Sequence, residues 1–226
     1  MLACHPMNIL KTDDPRLAAT LVCLVRAEGC TVGPTPDALV AALNALAAAR
    51  AEEDFPPAAV KESVRGMLRA GGYKPAGRQK PASEYLAQAA REGRFPSING
   101  PVDCNNILSL ETGLPISLLD AEAFGGGDAL VRICGAGESY VFNASGHEMD
   151  LEGLLCVCAA DGTPLGNPVK DSMAGKLKDG SGDFAGFIYA PPSLYTSETL
   201  LALGGRFASL LMEHCGARAA CATAVV

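Results

Sequence analysis

Residues 102–120, "VDCNNILSLETGLPISLLD", mark the point where the patterning changes from helical to strand-like. Pro101 suits the first turn of a helix, and Gly113 and Pro115 end that helix. Its apolar residues lie nearly all round the axis, which is typical of a buried helix: Val102, Cys104, Ile107, Leu108 and Leu110. The apolar segments that follow are short and separated by glycine-containing turns, so we predict strands at "ALVRIC", "SYVF", "LLCVCAA" and "FAGFIYA".

The segment before this stretch is predicted to contain one buried strand over residues 17–27 and three helices. The first helix has Thr35 at its N-cap and Pro36 at its first position. The second runs from about residue 57 to 70, and the third is capped by Ser83 and ends at Gly93.

The chain closes with a predicted amphipathic helix, followed by a last strand over residues 217–226. The helix begins at Thr196 or Ser197 and ends at Gly216. The order strand, helices, strands, helix lacks the regular alternation of a doubly wound sheet and predicts an α+β fold. Without an internal repeat or a low-complexity linker, we expect a single domain over residues 1–226.

The composition favours a folded, water-soluble protein, since 49% of the 226 residues are hydrophobic and 19% are charged. The longest strongly apolar run, Leu17 to Val25, is too short to cross a bilayer. The first residues lack the basic start and the long apolar stretch of a signal peptide. We therefore expect a cytoplasmic protein that has no membrane partner.

The nine cysteines indicate buried free thiols, because most of them stand in apolar runs and their number is odd. Cys156 and Cys158 would share one face of a strand. We interpret them as core residues, since no Cys or His partner follows at zinc-finger spacing. The sequence thus predicts no metal and no cofactor.

The net charge of −7 opposes general nucleic-acid binding, but the charge is unevenly distributed. Residues 61–94 hold eight basic and three acidic side chains, which gives +5 there and leaves −12 for the rest. Lys61, Arg65 and Arg69 fall on one helix face at i, i+4 and i+8. With Arg78 and Lys80 they form the candidate nucleic-acid-binding set, and the alternative is a solvated helix face.

The order of motifs around residues 102–120 resembles the tRNA-binding and editing domain, called B3/4, of the phenylalanyl-tRNA synthetase β subunit. The resemblance spans about residues 60–190, and the upstream "GGYKPAGRQKPASEYL" and the loop "GNPVKDS" look like free-standing proteins made of this domain alone. The matching positions are Val102, Asp103, Asn106, Leu110, Glu111, Gly113, Pro115, Asp120, Arg132, Gly137 and Glu138.

The resemblance implies an α+β, B3/4-like fold with central β-sandwich-like sheets flanked by helices. It also implies recognition of a tRNA or aminoacyl-tRNA, with trans-editing hydrolysis of a mischarged aminoacyl-tRNA as the reaction if the chain is an enzyme. At 226 residues the chain is too short to be a complete phenylalanine–tRNA ligase.

Two positions depart from the family pattern. Ser117 stands where the synthetase has a pocket histidine, and Tyr189 stands where it has a pocket glutamate. These changes favour an alternative, a protein that binds a small amino-acid-like molecule without contact to RNA or catalysis. A protein-interaction module is a third class. The arrangement of the basic residues around the pocket distinguishes the first two, because fold alone does not define function.

The loop Gly166–Ser172, "GNPVKDS", is the strongest local candidate for a binding site. The Asn167-Pro168 turn holds the next residues in a fixed geometry. Lys170 suits a carboxylate or phosphate, Asp171 suits an ammonium or a water, and Ser172 suits an oxyanion. We predict that the loop lines the main pocket with at least one of these side chains. The alternative is that Asp171 binds the amides of its own turn.

Three further residues complete the candidate substrate-binding set. Asn106 lies on an apolar helix and needs hydrogen bonds if it is buried, so a structural role is its alternative. Arg132 and Glu138 lie around a strand turn, where an ion pair between them is the alternative. The full set is Asn106, Ser117, Arg132, Glu138, Asn167, Lys170, Asp171, Ser172 and Tyr189.

Overall fold

Helices and strands both contribute to the structure, a computed structural model that describes residues 4–95 and 97–226. The α-helices are α1 (Asp37–Ala51), α2 (Ala58–Arg69), α3 (Ala82–Arg91), α4 (Gly100–Thr112) and α5 (Ser197–His214). The strands are β1 (Ile9–Lys11), β2 (Leu21–Glu28), β3 (Ile116–Asp120), β4 (Ala129–Ile133), β5 (Ser139–Val141), β6 (Glu148–Asp150), β7 (Leu155–Cys158), β8 (Pro164–Gly166), β9 (Phe184–Ala190) and β10 (Ala219–Val225). The α+β class is confirmed.

Two four-stranded sheets and a hairpin organise the strands. The first sheet has the order β10-β2-β9-β3 and is antiparallel throughout. The second has the order β1-β4-β7-β8, with β1 parallel to β4, and β5 pairs with β6. The two sheets approach each other where β3 contacts β8, and Leu119 on β3 also forms an antiparallel bridge with Lys176 in the loop after β8. This junction positions the candidate site.

The first sheet lies at the centre of the core, because every residue of β9 is buried and so is nearly all of β2. Helix α5 packs on β2 and β10, and α4 contacts both α5 and the edge strand β3. Helices α1 and α3 pack on α4. As a result α4 is enclosed between other elements, as its all-round apolar pattern predicted.

The end predicted for α4 at Gly113 and the start predicted for α5 at Thr196 are found, whereas Asn99, the N-cap of α4, was not predicted. Asn99 accepts a hydrogen bond from the amide of Val102 at 3.0 Å, and Gly113 ends α4 in the left-handed region with φ of +77°. Thr196 caps α5 and forms a capping box with Thr199.

Three predictions about where a strand or helix begins are wrong. Residues 17–20 do not belong to the first strand, because Asp14 accepts from the amide of Arg16 and a short 3-10 helix occupies Pro15–Ala19. Thr35 is not the N-cap of α1, since Pro36 takes that position and the Thr35 hydroxyl donates to Asp103 at 2.6 Å. Ser83 does not cap α3, which begins after Pro81.

Cys156 and Cys158 are fully buried in β7, as expected of core thiols. Within residues 4–95 and 97–226, no group of three or more His, Cys, Asp or Glu side chains is placed to hold a metal ion. In that same part of the chain, no helix combines the length and apolar character needed to cross a membrane.

Candidate functional site

A chain of three polar side chains links the core to the surface at the junction of the sheets. Ser117 on β3 and Tyr189 on the neighbouring strand β9 are fully buried, and their hydroxyl oxygens lie 3.0 Å apart. Ser117 Oγ also donates to Asp171 Oδ1 at 2.6 Å. A hydroxyl has one proton, so when Ser117 donates to Asp171 the Tyr189 hydroxyl donates to Ser117. Ser117 and Tyr189 therefore belong to one network with the loop aspartate.

The carboxyl of Asp171 is in an environment that opposes its ionisation. Burial raises the pKa of Asp171 to about 7, although the hydrogen bonds from Ser117 and from the Asn167 amide and the charge of Lys176 act in the opposite direction. Burial also raises the pKa of Tyr189 far above its usual range, so this phenol keeps its proton. The network thus has one group that changes its protonation near neutral pH.

Gly166 makes room for this carboxyl. A Cβ atom at position 166 would lie 2.7 Å from Asp171 Oδ1 and 3.0 Å from Leu119 Cδ1. Both distances are shorter than normal contacts, so the aspartate occupies space that any other residue at 166 would fill.

Asn167 shapes the loop from within. Its side-chain oxygen accepts from the amides of Val169 at 2.8 Å and Lys170 at 2.9 Å, which is an Asx turn. Its side-chain nitrogen donates to the hydroxyl of Tyr140, and that hydroxyl donates to the Lys170 carbonyl at 2.5 Å. These bonds use the polar atoms of Asn167, so it orients the loop, and Tyr140 is a supporting residue that no sequence motif indicated.

Two clefts meet at Asp171. One has a volume of about 340 Å³ and lies between the start of α4, β3 and Lys176; the other has a volume of about 530 Å³ and lies between α3, α4 and the loop. Asn105, Ile116 and Asp171 line both of them. Lys170 also lines the larger cleft, whereas Ser172 lines neither. Ser172 is buried, and its hydroxyl accepts from the Gly175 amide at 3.0 Å.

Helix α4 contributes two neighbouring amides to the cleft walls. The side-chain oxygen of Asn105 is buried and has no hydrogen-bond partner among the described residues. Asn106 is 5% exposed and lines the larger cleft. The motif indicated Asn106 as a candidate, but it did not indicate Asn105. The sequence does contain a sign of both residues, because two consecutive amide side chains interrupt the apolar pattern of this helix.

Two cations line the larger cleft together with α4. Arg78 and Lys170 both line it, and Lys170 Nζ lies 4.2 Å from the centroid of the Phe142 ring. Burial, followed by the charge of Arg78, lowers the pKa of Lys170. Neither cation has a carboxylate partner within ion-pair distance among residues 4–95 and 97–226. An anion in this cleft would meet two positive groups.

Arg132 and Glu138 are bound to each other and lie outside the two clefts. The guanidinium donates to both carboxylate oxygens, at 2.9 and 2.5 Å, and also to the Gly162 carbonyl at 2.7 Å. The hydrogen bonds from Arg132 lower the pKa of Glu138 to about 2. The geometry therefore matches the structural alternative, an ion pair that fixes the turn after β4.

The five basic candidates do not form one patch beside the clefts. Arg65 donates to both carboxylate oxygens of Glu84 at 2.7 Å, and Arg69 pairs with Glu62 at 2.6 Å. Lys80 donates to Gln88. Of the set Lys61, Arg65, Arg69, Arg78 and Lys80, Arg78 alone lines either of the two clefts.

One solved structure with a similar chain path is the crystal structure of an N-terminal fragment of the phenylalanyl-tRNA synthetase β subunit from Pyrococcus horikoshii. The two chains share 9% identity at a TM-score of 0.48, and the match covers 96% of this chain and 51% of that one. This chain thus spans about half the length of the fragment. No protein-family model matches, and no curated protein matches by sequence. A likeness at this level assigns neither a function nor a role to any residue.

Proposed function

We propose that this protein binds a small amino-acid-like molecule where the two clefts meet. The observation that carries the proposal is the position of Asp171, which lines both clefts, while Arg78 and Lys170 line the larger one. One acidic group and two basic groups in a single cleft suit a ligand that carries both charges.

Each part of such a ligand has a matching group. An ammonium donates charge-assisted hydrogen bonds to Asp171, which Ser117 holds in place at 2.6 Å. A carboxylate binds Lys170 and Arg78. The ligand side chain then lies against the apolar lining, which includes Ile116, Leu86 and Val169. The unpaired oxygen of Asn105 accepts a further donor from the ligand.

The distribution of the basic residues supports this function over general RNA binding. Arg65 and Arg69 already have acidic partners, so their charge toward a phosphate backbone is largely neutralised. A net charge of −7 adds long-range repulsion.

A second candidate function is recognition of an aminoacyl-tRNA, with hydrolysis of a mischarged one. The specific observation in its favour is that Arg78 and Lys170 also line a neighbouring cleft of about 350 Å³ with Phe142 and His147. Aromatic rings next to cations suit a nucleotide base and its phosphate. An amino acid in the Asp171 cleft would then be joined to a nucleotide in this one.

Calorimetric titration of the purified protein with the standard amino acids and their methyl esters tests the first proposal. We expect binding of at least one of them, and loss of at least 30-fold in affinity in Asp171→Asn, since a charge-assisted hydrogen bond contributes about 2 kcal/mol or more. Asp161→Asn is the matched control, because Asp161 lies in an exposed turn and accepts from the Thr163 amide. Equal loss in both variants would contradict the role of Asp171.

Deacylation of a panel of mischarged tRNAs separates the two candidates. Release of the amino acid by the wild type, with a rate that drops in Asp171→Asn, supports the aminoacyl-tRNA function. Binding of a free amino acid without any effect on charged tRNA supports the first function. A protein that neither binds the free molecules nor acts on any charged tRNA refutes both.

A further inference from the structure

Two cysteine thiols face each other in the buried contact between α4 and the end of α5. Cys104 lies in the second turn of α4, and Cys215 is the residue that ends α5. Their sulfur atoms are 3.8 Å apart. Since a disulfide has an S–S distance of about 2.05 Å, the sulfurs need to approach by roughly 1.8 Å to form one.

Main-chain hydrogen bonds hold this pair in position. The Cys215 amide donates to the Leu211 carbonyl at 3.0 Å, and the Cys215 carbonyl accepts from the Thr31 amide at 2.8 Å. Cys104 lies within a regular helix, and its sulfur is 3.5 Å from the Leu210 carbonyl oxygen. The two thiols therefore meet because the folded elements bring them together across 111 positions of sequence.

The two thiols differ in access and in acidity. Cys104 is fully buried, whereas Cys215 is 4% exposed at the end of its helix. The side-chain contact with Cys104 lowers the pKa of Cys215, while the same contact and burial raise the pKa of Cys104. Cys215 is thus the thiol that a small oxidant reaches first and that more readily forms a thiolate.

We propose that Cys104 and Cys215 form a thiol-oxidation site that hydrogen peroxide converts to a disulfide. The Cys215 thiolate attacks one peroxide oxygen, the O–O bond breaks, and hydroxide leaves, so that Cys215 becomes a sulfenic acid. The Cys104 sulfur then attacks the Cys215 sulfur, the S–O bond breaks, and the second hydroxide leaves as water with a proton. Two thiols and one peroxide give one disulfide and two waters, and each sulfur loses one electron.

The bond would join α4 to the end of α5 next to the cleft wall. Asn105 and Asn106 directly follow Cys104, so oxidation would restrict the helix segment that carries the two amides. This oxidation site stands on its own geometry and does not depend on the proposed ligand.

The test treats the folded 226-residue chain with increasing hydrogen peroxide, blocks remaining thiols with iodoacetamide, digests the protein and identifies linked peptides by mass spectrometry. We expect a Cys104–Cys215 linked peptide that forms before the protein unfolds and that disappears after reduction. A rise in melting temperature should accompany it, since the bond closes a long loop.

Single variants show whether the link is specific. The linked peptide should be absent in Cys104→Ser and in Cys215→Ser. Circular dichroism checks that each variant is folded. If Cys104→Ser does not fold, Cys104→Ala is used in its place. Peptides containing Cys4 or Cys221, which are partly exposed, report oxidation elsewhere. Recovery of both Cys104 and Cys215 as separately alkylated peptides at peroxide levels that oxidise Cys4 or Cys221, or a link that forms only in urea, would overturn the proposal.

Discussion

The titration of Asp171 should make the stability of this protein fall as the pH rises toward neutrality. The pKa of its carboxyl is about 7 in the folded protein and 3.8 without the fold. A carboxyl whose pKa is raised by folding binds more protons in the folded state between those two values, so its contribution is complete below pH 3.8 and is lost as pH rises through 7. Three pKa units correspond to about 4 kcal/mol as an upper bound.

The Asp171→Asn variant isolates this effect, because an amide does not titrate and still accepts a hydrogen bond from Ser117. Between pH 5 and 7, the unfolding free energy of the wild type should decrease relative to the variant by up to about 1.4 kcal/mol per pH unit. Urea unfolding of both proteins at pH 5, 6, 7 and 8 measures this difference. Above pH 7 the difference should level off, because Asp171 is then ionised in both states.

The Asp161→Asn variant serves as the control. Its exposed carboxyl has a lowered pKa because the Thr163 amide donates to it, so it stays ionised from pH 5 to 8 and its variant should track the wild type. A constant difference between wild type and Asp171→Asn over this range would refute the reasoning about burial. Affinity for an amine ligand should change in the opposite sense and rise through pH 7, since only the ionised carboxylate attracts an ammonium.

Four further substitutions test the packing around the site, each by urea unfolding. Tyr189→Phe removes a hydroxyl that bonds within the buried network and should cost about 1 kcal/mol; no change would show that the phenol contributes nothing there. Arg65→Ala leaves the buried carboxylate of Glu84 unpaired and should cost about 1 to 3 kcal/mol, whereas Arg69→Ala breaks an exposed pair and should cost less than about 1 kcal/mol. Asn105→Leu removes an unpaired buried oxygen, so stability should hold or increase while calorimetry shows weaker ligand binding; unchanged affinity would exclude a contact at this amide.

Long periodic segments were predictable from the sequence, and short strands were not. The helices α4 and α5 and the strand β9 have enough residues for their apolar pattern and end signals to be read. Strands β1, β6 and β8 have three residues each, too few to show a period, and β1 pairs with β4, which is distant in sequence. Strand β3 was not predicted, because Pro115 was interpreted only as the residue that ends the preceding helix.

The features of the candidate site that depend on residues adjacent in sequence were predictable. The Asn167 turn indicated a fixed loop, and the structure places Lys170 and Asp171 in a cleft wall. The pairing of Arg65 with Glu84 was not predictable, since it joins two helices across 19 positions. The same holds for Asn105, whose unpaired oxygen is a property of its surroundings and not of the residue type.

Because Asp171 lies so close to Gly166, the residue types that one of these positions tolerates depend on the residue at the other. A carboxylate oxygen already lies 2.7 Å from where a Cβ at 166 would be, so an alanine there is expected to be tolerated only after residue 171 becomes smaller. Relatives of this chain should therefore covary: those with an acid at the position of Asp171 keep glycine at 166, and those that have lost the acid are free to carry a side chain. A sequence collection sorted by this pair would separate proteins that keep the acid of the proposed binding site from proteins that share the scaffold alone.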